Sequence, residues 1–255
     1  MATEFFYEKA DIDRYRFLCL NRTMTYLTYF TKTEWALWLS SVTLILTTNL
    51  LFGSQSPLAL TASLIGVTSL VFNAKANPIG QGLVIVFSLI YAYLALLNGY
   101  YGELLTYTLM TLPMAIFSLF SWLTHPFEGN KSQVTISRLH LKDWGQLVLS
   151  TLVVTTVFYF ILAYFNTNYL LVSTLSIATS FSAVFLSYKR SPFFALAYSL
   201  NDLVLILLWL YAARQDIGQY AIVSCFVTFF VNDIYTFTSW LNLRQKQEHH
   251  KRMGH

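Results

Sequence analysis

Eight apolar stretches divide this chain, and the basic residues between them collect on alternate connections. The stretches run roughly from Trp35 to Phe52, Leu58 to Phe72, Ile79 to Leu97, Leu104 to Leu123, Trp144 to Phe165, Tyr169 to Tyr188, Phe193 to Ala213 and Tyr220 to Leu241. At about 1.5 Å of rise per residue, stretches of this length suit a hydrocarbon core of about 30 Å. With each stretch taken as one transmembrane helix, Lys9, Arg14, Arg16, Arg22, Lys32, Lys75, Lys131, Arg138, Lys142, Lys189, Arg190, Arg244, Lys246, Lys251 and Arg252 fall on the side of the N-terminus. Only Arg214 falls on the other side. The excess of Lys and Arg in cytoplasmic loops then predicts that both termini are cytoplasmic and that the loops near Ser54, Tyr101, Asn166 and Gln215 face outward. Merging any two neighbouring spans would scramble this segregation.

The composition agrees: 56% of residues are hydrophobic and 11% charged, against about 25% charged in soluble domains. The net charge of +4 is accounted for by these loop residues beside lipid head groups, so no nucleic-acid partner is expected. Residues 1–34 mix acids and bases without the apolar core of a signal peptide and are expected to be a cytoplasmic lead. The sequons at Asn21 and Asn130 fall on the inner side, where no glycan is added. Cys19 and Cys225 are far apart in chain and depth, and the five histidines (His125, His140, His249, His250, His255) lie outside the spans. That pattern offers no disulfide framework, no metal site and no nucleophile paired with a base, so neither a cofactor nor an enzyme is expected.

The chain also resembles itself. Lys75, Asn77 and Pro78 join the second span to the third; Lys189, Ser191 and Pro192 join the sixth to the seventh, 114 positions later. Ser121-Trp122-Leu123 returns as Ser239-Trp240-Leu241 at an offset of 118. Spans 2 to 4 and 6 to 8 thus read as two copies of a three-helix unit. A unit with an odd number of spans reverses its own direction, and one intervening span restores it. The expected fold is therefore an all-α integral membrane bundle of eight transmembrane helices, with an extra N-terminal helix and a 3+1+3 arrangement of parallel repeats. By residue, this gives a lead at 1–34, the extra helix at 35–53, repeat 1 at 57–123, an inner loop and linker helix at 124–168, repeat 2 at 169–241 and a cytoplasmic tail at 242–255. Substrates of such folds sit between the repeats near the midplane.

Asn201-Asp202 lies mid-span in the seventh stretch, and Asn232-Asp233 lies deep in the eighth. A carboxylate at the centre of a membrane helix costs about 2.5 to 3.5 kcal/mol on insertion scales, so it normally faces a protein interior or a watered cavity. No Lys, Arg or His stands in any span to neutralise either one. Small hydroxyls and tyrosines accompany them: Ser173, Thr174, Ser176, Thr179 and Ser180 in span 6, Tyr198 in span 7, Tyr235 in span 8 and Tyr91 in span 3. Hydroxyls in membrane helices commonly serve helix packing, and tyrosines near span ends serve as anchors. Tyr198 and Asn201 or Asp202, however, share a helix face at i, i+3 and i+4. Aromatic, amide and carboxylate groups together suit a ligand with a planar ring and a ribose. Tyr198, Asn201, Asp202, Asn232, Asp233, Tyr235, Thr174 and Tyr91 are the candidate substrate-binding residues.

Around these positions the sequence resembles the PnuC-type vitamin and nucleoside transporters over residues 33–243. The resemblance is carried by Tyr91-Ala92-Tyr93, Tyr100-Tyr101-Gly102-Glu103, Leu112-Pro113-Met114, Lys189-Arg190 and Asn232, Tyr235 and Trp240. It implies a multi-pass protein of the bacterial inner membrane, similar in architecture to the SWEET sugar facilitators. It further implies a homotrimer that imports nicotinamide riboside by facilitated diffusion and depends on a cytoplasmic kinase to trap the product. The chain departs from the family pattern at Ala115, where the family usually has Gln, and near Phe87, where an Asn is usual. Counted from Lys189-Arg190, Ala195 and Tyr198 stand at two positions where the family usually has tryptophan, while Asp202 is retained. Thiamine, riboflavin and deoxynucleosides therefore remain open as substrates beside nicotinamide riboside. An ion-coupled mechanism, in which Asp202 or Asp233 carries a proton, also remains open.

Overall fold

The computed structural model describes residues 29–52, 57–97, 104–167, 169–214 and 217–253. Most of the lead, with Cys19 and Asn21, lies outside them, as do the Tyr100–Glu103 motif and the outer-loop positions Ser54, Tyr101 and Gln215. The chain forms two compact units, Met1–Leu39 and Ser40–His255. In the first, Thr31 and Glu34 cap each other: the Thr31 backbone N–H donates to the Glu34 carboxylate at 2.7 Å and the Glu34 N–H to the Thr31 hydroxyl at 3.3 Å. This reciprocal pairing satisfies donors that a helix N-terminus otherwise leaves open, and it starts helix α1 (Lys32–Phe52).

The remaining helices are α2 (Pro57–Ala74), α3 (Pro78–Leu97), α4 (Leu112–Thr124), α5 (Leu141–Tyr164), α6 (Leu170–Tyr188), α7 (Phe193–Ala213) and α8 (Tyr220–Met253). With the turn of π-helix that leads into α4, eight segments are long and apolar enough to cross a membrane, in the places the hydropathy predicts. The π turn, Thr106–Thr111, immediately precedes Leu112-Pro113. Pro113 has no N–H to donate to a preceding carbonyl, and the ladder is already widened there: the Leu112 N–H reaches back to Tyr107.

Six helices close a ring through successive contacts, α2 with α3, α3 with α4, α4 with α6, α6 with α7, α7 with α8 and α8 with α2. Helix α5 packs against α6 outside this ring. Small side chains line the seams, as Ala62, Ser63, Gly66 and Ser69 do on α2, because close backbone approach replaces the hydrophobic drive that lipid removes. Large apolar side chains such as Phe120, Leu152, Phe160, Leu171 and Leu207 point outward.

At the end of the bundle that carries the basic loops, one local structure occurs twice. Ala76 and Arg190 both adopt a left-handed backbone, with φ of 55° and 56°. The N–H groups of Ala76, Asn77 and Gly80 bond to the carbonyls of Asn73, Phe72 and Asn77, and those of Arg190, Ser191 and Phe194 bond to Ser187, Leu186 and Ser191. The last carbonyls of α2 and α6, which their own helices cannot satisfy, are capped crosswise. Trp122 donates its indole N–H to the Ser187 carbonyl at 2.9 Å and Ser121 its hydroxyl to Tyr188 at 2.8 Å. Trp240 and Ser239 make the same bonds to Asn73 and Ala74, at 2.7 and 2.8 Å. The two indoles meet with ring centroids 5.2 Å apart, and both are fully buried.

Two features here were not expected from the sequence. Residues 126–134, read as plain loop, form a short antiparallel hairpin of β1 (Pro126–Phe127) and β2 (Asn130–Val134). The tail from residue 242 continues α8 as helix to Met253, so α8 is 34 residues long, about 50 Å, and overruns a bilayer core.

Candidate substrate site

Helices α7 and α8 supply one ladder of side chains directed at each other. Phe194, Tyr198 and Asp202 follow at intervals of four on α7; Cys225, Phe229 and Asp233 do so on α8. Four residues of helix rise about 6 Å, so such side chains stack in layers along one face. In the layer nearest the basic end, Phe194 packs against both of the paired indoles, its ring 4.7 Å from Trp240 and 6.2 Å from Trp122. The Tyr198 ring packs edge-on above it at 6.2 Å.

The next layer holds Asp202 and Asp233, 4% and 3% exposed, which lie beside each other between α7 and α8. Oδ2 of Asp202 is buried and has no hydrogen-bond partner among the described residues. Tyr198 stands one turn from Asp202 on the same face of α7.

Beyond this pair is a cluster of rings from three elements. Phe87 and Tyr91 of α3 stack at 4.6 Å, Tyr91 meets Tyr107 of the π turn at 5.3 Å, and Phe229 of α8 meets Phe87 at 6.4 Å. Gly66 of α2 makes room for them, since a Cβ there would come within 3.0 Å of Phe229 and 3.1 Å of Phe87. The arrangement is an acid pair between an aromatic floor and an aromatic roof. Its chemistry is that of hydrogen-bond acceptance from hydroxyls beside surfaces that stack on a planar ring.

Several sequence candidates point elsewhere. Neighbours in a helix diverge by about 100°, so Asn201 turns toward α6, where Ser176 and Thr179 donate to its Oδ1 at 3.1 and 2.9 Å. Asn232 turns toward α1 and donates to Ser41 at 2.9 Å and to the Thr228 carbonyl at 2.7 Å. The Thr174 hydroxyl is bonded to its own helix at Leu170, 2.7 Å away. Tyr235 follows Asp233 by two residues, about 200° around α8. The structure therefore brings Tyr198, Asp202 and Asp233 into one column, with Tyr91 in the roof above it.

Residues absent from the sequence candidates also contribute. Phe87, Phe229 and Phe194 complete roof and floor, and the i, i+4 spacing of Phe87 and Tyr91 was the available signal for the first. On α3, buried Gln81 donates to Asn73 Oδ1 at 3.0 Å, fixing the side chain of the residue whose carbonyl holds Trp240. Among the described residues no group of three or more His, Cys, Asp or Glu could hold a metal ion.

A sequence model of the nicotinamide mononucleotide transporter family matches residues 56–242. The chain belongs to this family. In the solved structures the chain is similar to the vitamin B3 transporter PnuC, with a TM-score of 0.72 at 20% identity over 86% of this chain and 94% of that one. No curated protein matches. The expected resemblance is thus met: the family is one of membrane transporters, and the fold is similar to that of the solved structure. In this nicotinamide mononucleotide transporter family member, the column on α7 and α8 and the ring cluster both fall within the matched residues.

Proposed function

We propose that this protein imports nicotinamide riboside, or a closely related nucleoside-like vitamin, across the bacterial inner membrane by facilitated diffusion, with phosphorylation by a cytoplasmic kinase trapping the product. The observation that carries this reading is the unpartnered Oδ2 of Asp202, held at mid-span between stacked rings and placed to accept a ribose hydroxyl. The basic end is the cytoplasmic end, and both termini lie there. The bundle works as two parallel three-helix repeats rocking against each other. The twice-built joints at Ala76 and Arg190 and the crossed Trp122 and Trp240 caps support that symmetry, because a chance bundle has no reason to repeat them in register. A SWEET-like arrangement assembled as a homotrimer in the lipid bilayer completes the proposal.

Substrate-induced thermal stabilisation, measured over nicotinamide riboside, nicotinamide mononucleotide, thiamine, riboflavin and deoxynucleosides, tests the substrate class. A ligand at 100 times its dissociation constant adds about 2.7 kcal/mol. Stabilisation by thiamine, riboflavin or a deoxynucleoside alone would move the assignment to that relative. A second reading, proton-coupled transport, is favoured by two buried carboxyls, Asp202 and Asp233, placed side by side with no Lys, Arg or His in any span. Uptake into proteoliposomes with and without a pH gradient separates it: facilitated diffusion gives the same initial rate in both.

A further inference from the structure

The basic end of the ring is bridged by four consecutive residues, each bonded to something different. Val134 N–H donates to the carbonyl of Ala76 at 2.9 Å, on the joint between α2 and α3. Ser137 N–H donates to the carbonyl of Arg190 at 3.0 Å, on the equivalent joint between α6 and α7, and the Ser137 hydroxyl bonds to Lys189. Between these anchors, Gln247 from the overrunning end of α8 holds the segment by its amide. It accepts from Ile136 N–H at 2.9 Å and donates to the Val134 carbonyl at 3.0 Å. Gln247 is 4% exposed, and Val134 is fully buried in the cluster that contains Trp122, Phe194 and Trp240. Arg138 adds a two-pronged contact to Glu248, at 2.9 and 2.7 Å, and His250 meets Glu128 of the hairpin at 3.1 Å.

The chain length sets the consequence. Three extended residues span at most about 11 Å, so with a hydrogen bond at each end the carbonyls of Ala76 and Arg190 stay within about 17 Å of each other. Those carbonyls belong to opposite halves of the ring. If the halves separate beyond that distance at this end, one anchor or the other must break. Phe194, packed in the same buried cluster as Val134 and against Tyr198, lies between this bridge and the Asp202 column.

We propose that residues 134–137, clamped by Gln247, are a latch across the basic mouth of the bundle whose release precedes opening on that side. The latch itself does not depend on which substrate is carried; only its assignment to the cytoplasmic face rests on the orientation given above. The test is substrate-free. In full-length protein carrying Cys19→Ser, Cys225→Ser and a reporter Tyr198→Cys, the labelling rate by a membrane-impermeant thiol reagent is measured in inside-out and right-side-out vesicles. Gln247→Leu, which keeps bulk and loses both amide bonds, is expected to raise the rate in inside-out vesicles roughly tenfold or more, and Ser137→Ala, which loses the hydroxyl bond alone, by about fivefold. The smaller change makes Ser137→Ala the deciding variant if Gln247→Leu does not yield monodisperse protein. Either variant, folded and labelled at the parent rate, overturns the latch. A rise confined to right-side-out vesicles keeps the latch and overturns the cytoplasmic assignment instead.

Discussion

Asp202→Asn separates the carboxylate's role in binding from its role in the fold. Asp202 is buried beside Asp233 and presents an oxygen, Oδ2, with no partner among the described residues. Asparagine has the same shape, and its amide can donate to Asp233, so the α7 to α8 contact survives. Thermal stability should therefore hold or rise slightly, since a carboxyl at this depth carries an insertion cost that an amide largely avoids. Binding should not hold. A charge-assisted hydrogen bond is worth about 1.5 to 3 kcal/mol and a neutral one about 0.5 to 1.5 kcal/mol, so the exchange loses roughly 1 to 1.5 kcal/mol. That is about a tenfold rise in Kd. Asp202→Ala, which removes the acceptor altogether, should lose about tenfold to a hundredfold or more. Calorimetric titration of purified protein with the stabilising ligand measures both. If Asp202→Asn binds as tightly as the parent protein, no substrate hydroxyl reaches Oδ2, and the substrate assignment loses its main support. If binding is kept but uptake loses its response to a pH gradient, the carboxyl pair carries a proton and the second reading replaces the first.

Three further outcomes are expected. With cysteine introduced as Lys131→Cys or Gln245→Cys, an impermeant reagent applied to intact cells should leave both sites unlabelled; labelling of either refutes the orientation. Gly80→Ala should destabilise by about 2 kcal/mol or more, because its Cβ would sit 2.8 Å from the backbone nitrogen of Asn73, whereas Gly82→Ala on the same helix meets nothing within 4 Å and should stabilise slightly. Thermal unfolding of the pair reads the difference, and equal shifts would refute that close approach. Trp122→Phe and Trp240→Phe each remove one of two donors to a buried carbonyl, the Arg190 and Ala76 N–H groups remaining, and should cost about 0.5 to 1.5 kcal/mol for the lost bond; similar losses are expected from symmetry, and a large inequality in unfolding midpoints would argue against equivalent repeats.

The spans were legible because length and hydropathy are local properties, and the two joints were legible because Lys-x-Asn-Pro and Lys-x-Ser-Pro stand at matching places. What the sequence could not show was rotation about each helix axis. Asn201 and Asp202 are neighbours in the chain, but packing sends one to the hydroxyls of α6 and the other to α8, and only the contacts of α7 decide which goes where. Asn232 is claimed by Ser41, 191 residues away, a partner no window of sequence would suggest. Ala195 shows the same limit in energetic form. It stands where the family usually has tryptophan, and it is fully buried in the cluster of Trp122, Phe194 and Trp240. The volume that tryptophan would need at 195 is already occupied by Phe194 and the two crossed indoles, so Ala195→Trp would overpack a floor that has no slack. Tyr198 is only half-buried and sits between that floor and the acid pair, so of the two positions where the family usually has tryptophan it is the one that faces the site. A tyrosine there gives a cationic ring a weaker face than tryptophan, within the roughly 0.5 to 2 kcal/mol of such contacts. If nicotinamide riboside is the substrate, as proposed, the carboxyls of Asp202 and Asp233 one turn away are the groups left to favour a cationic ring over a neutral one.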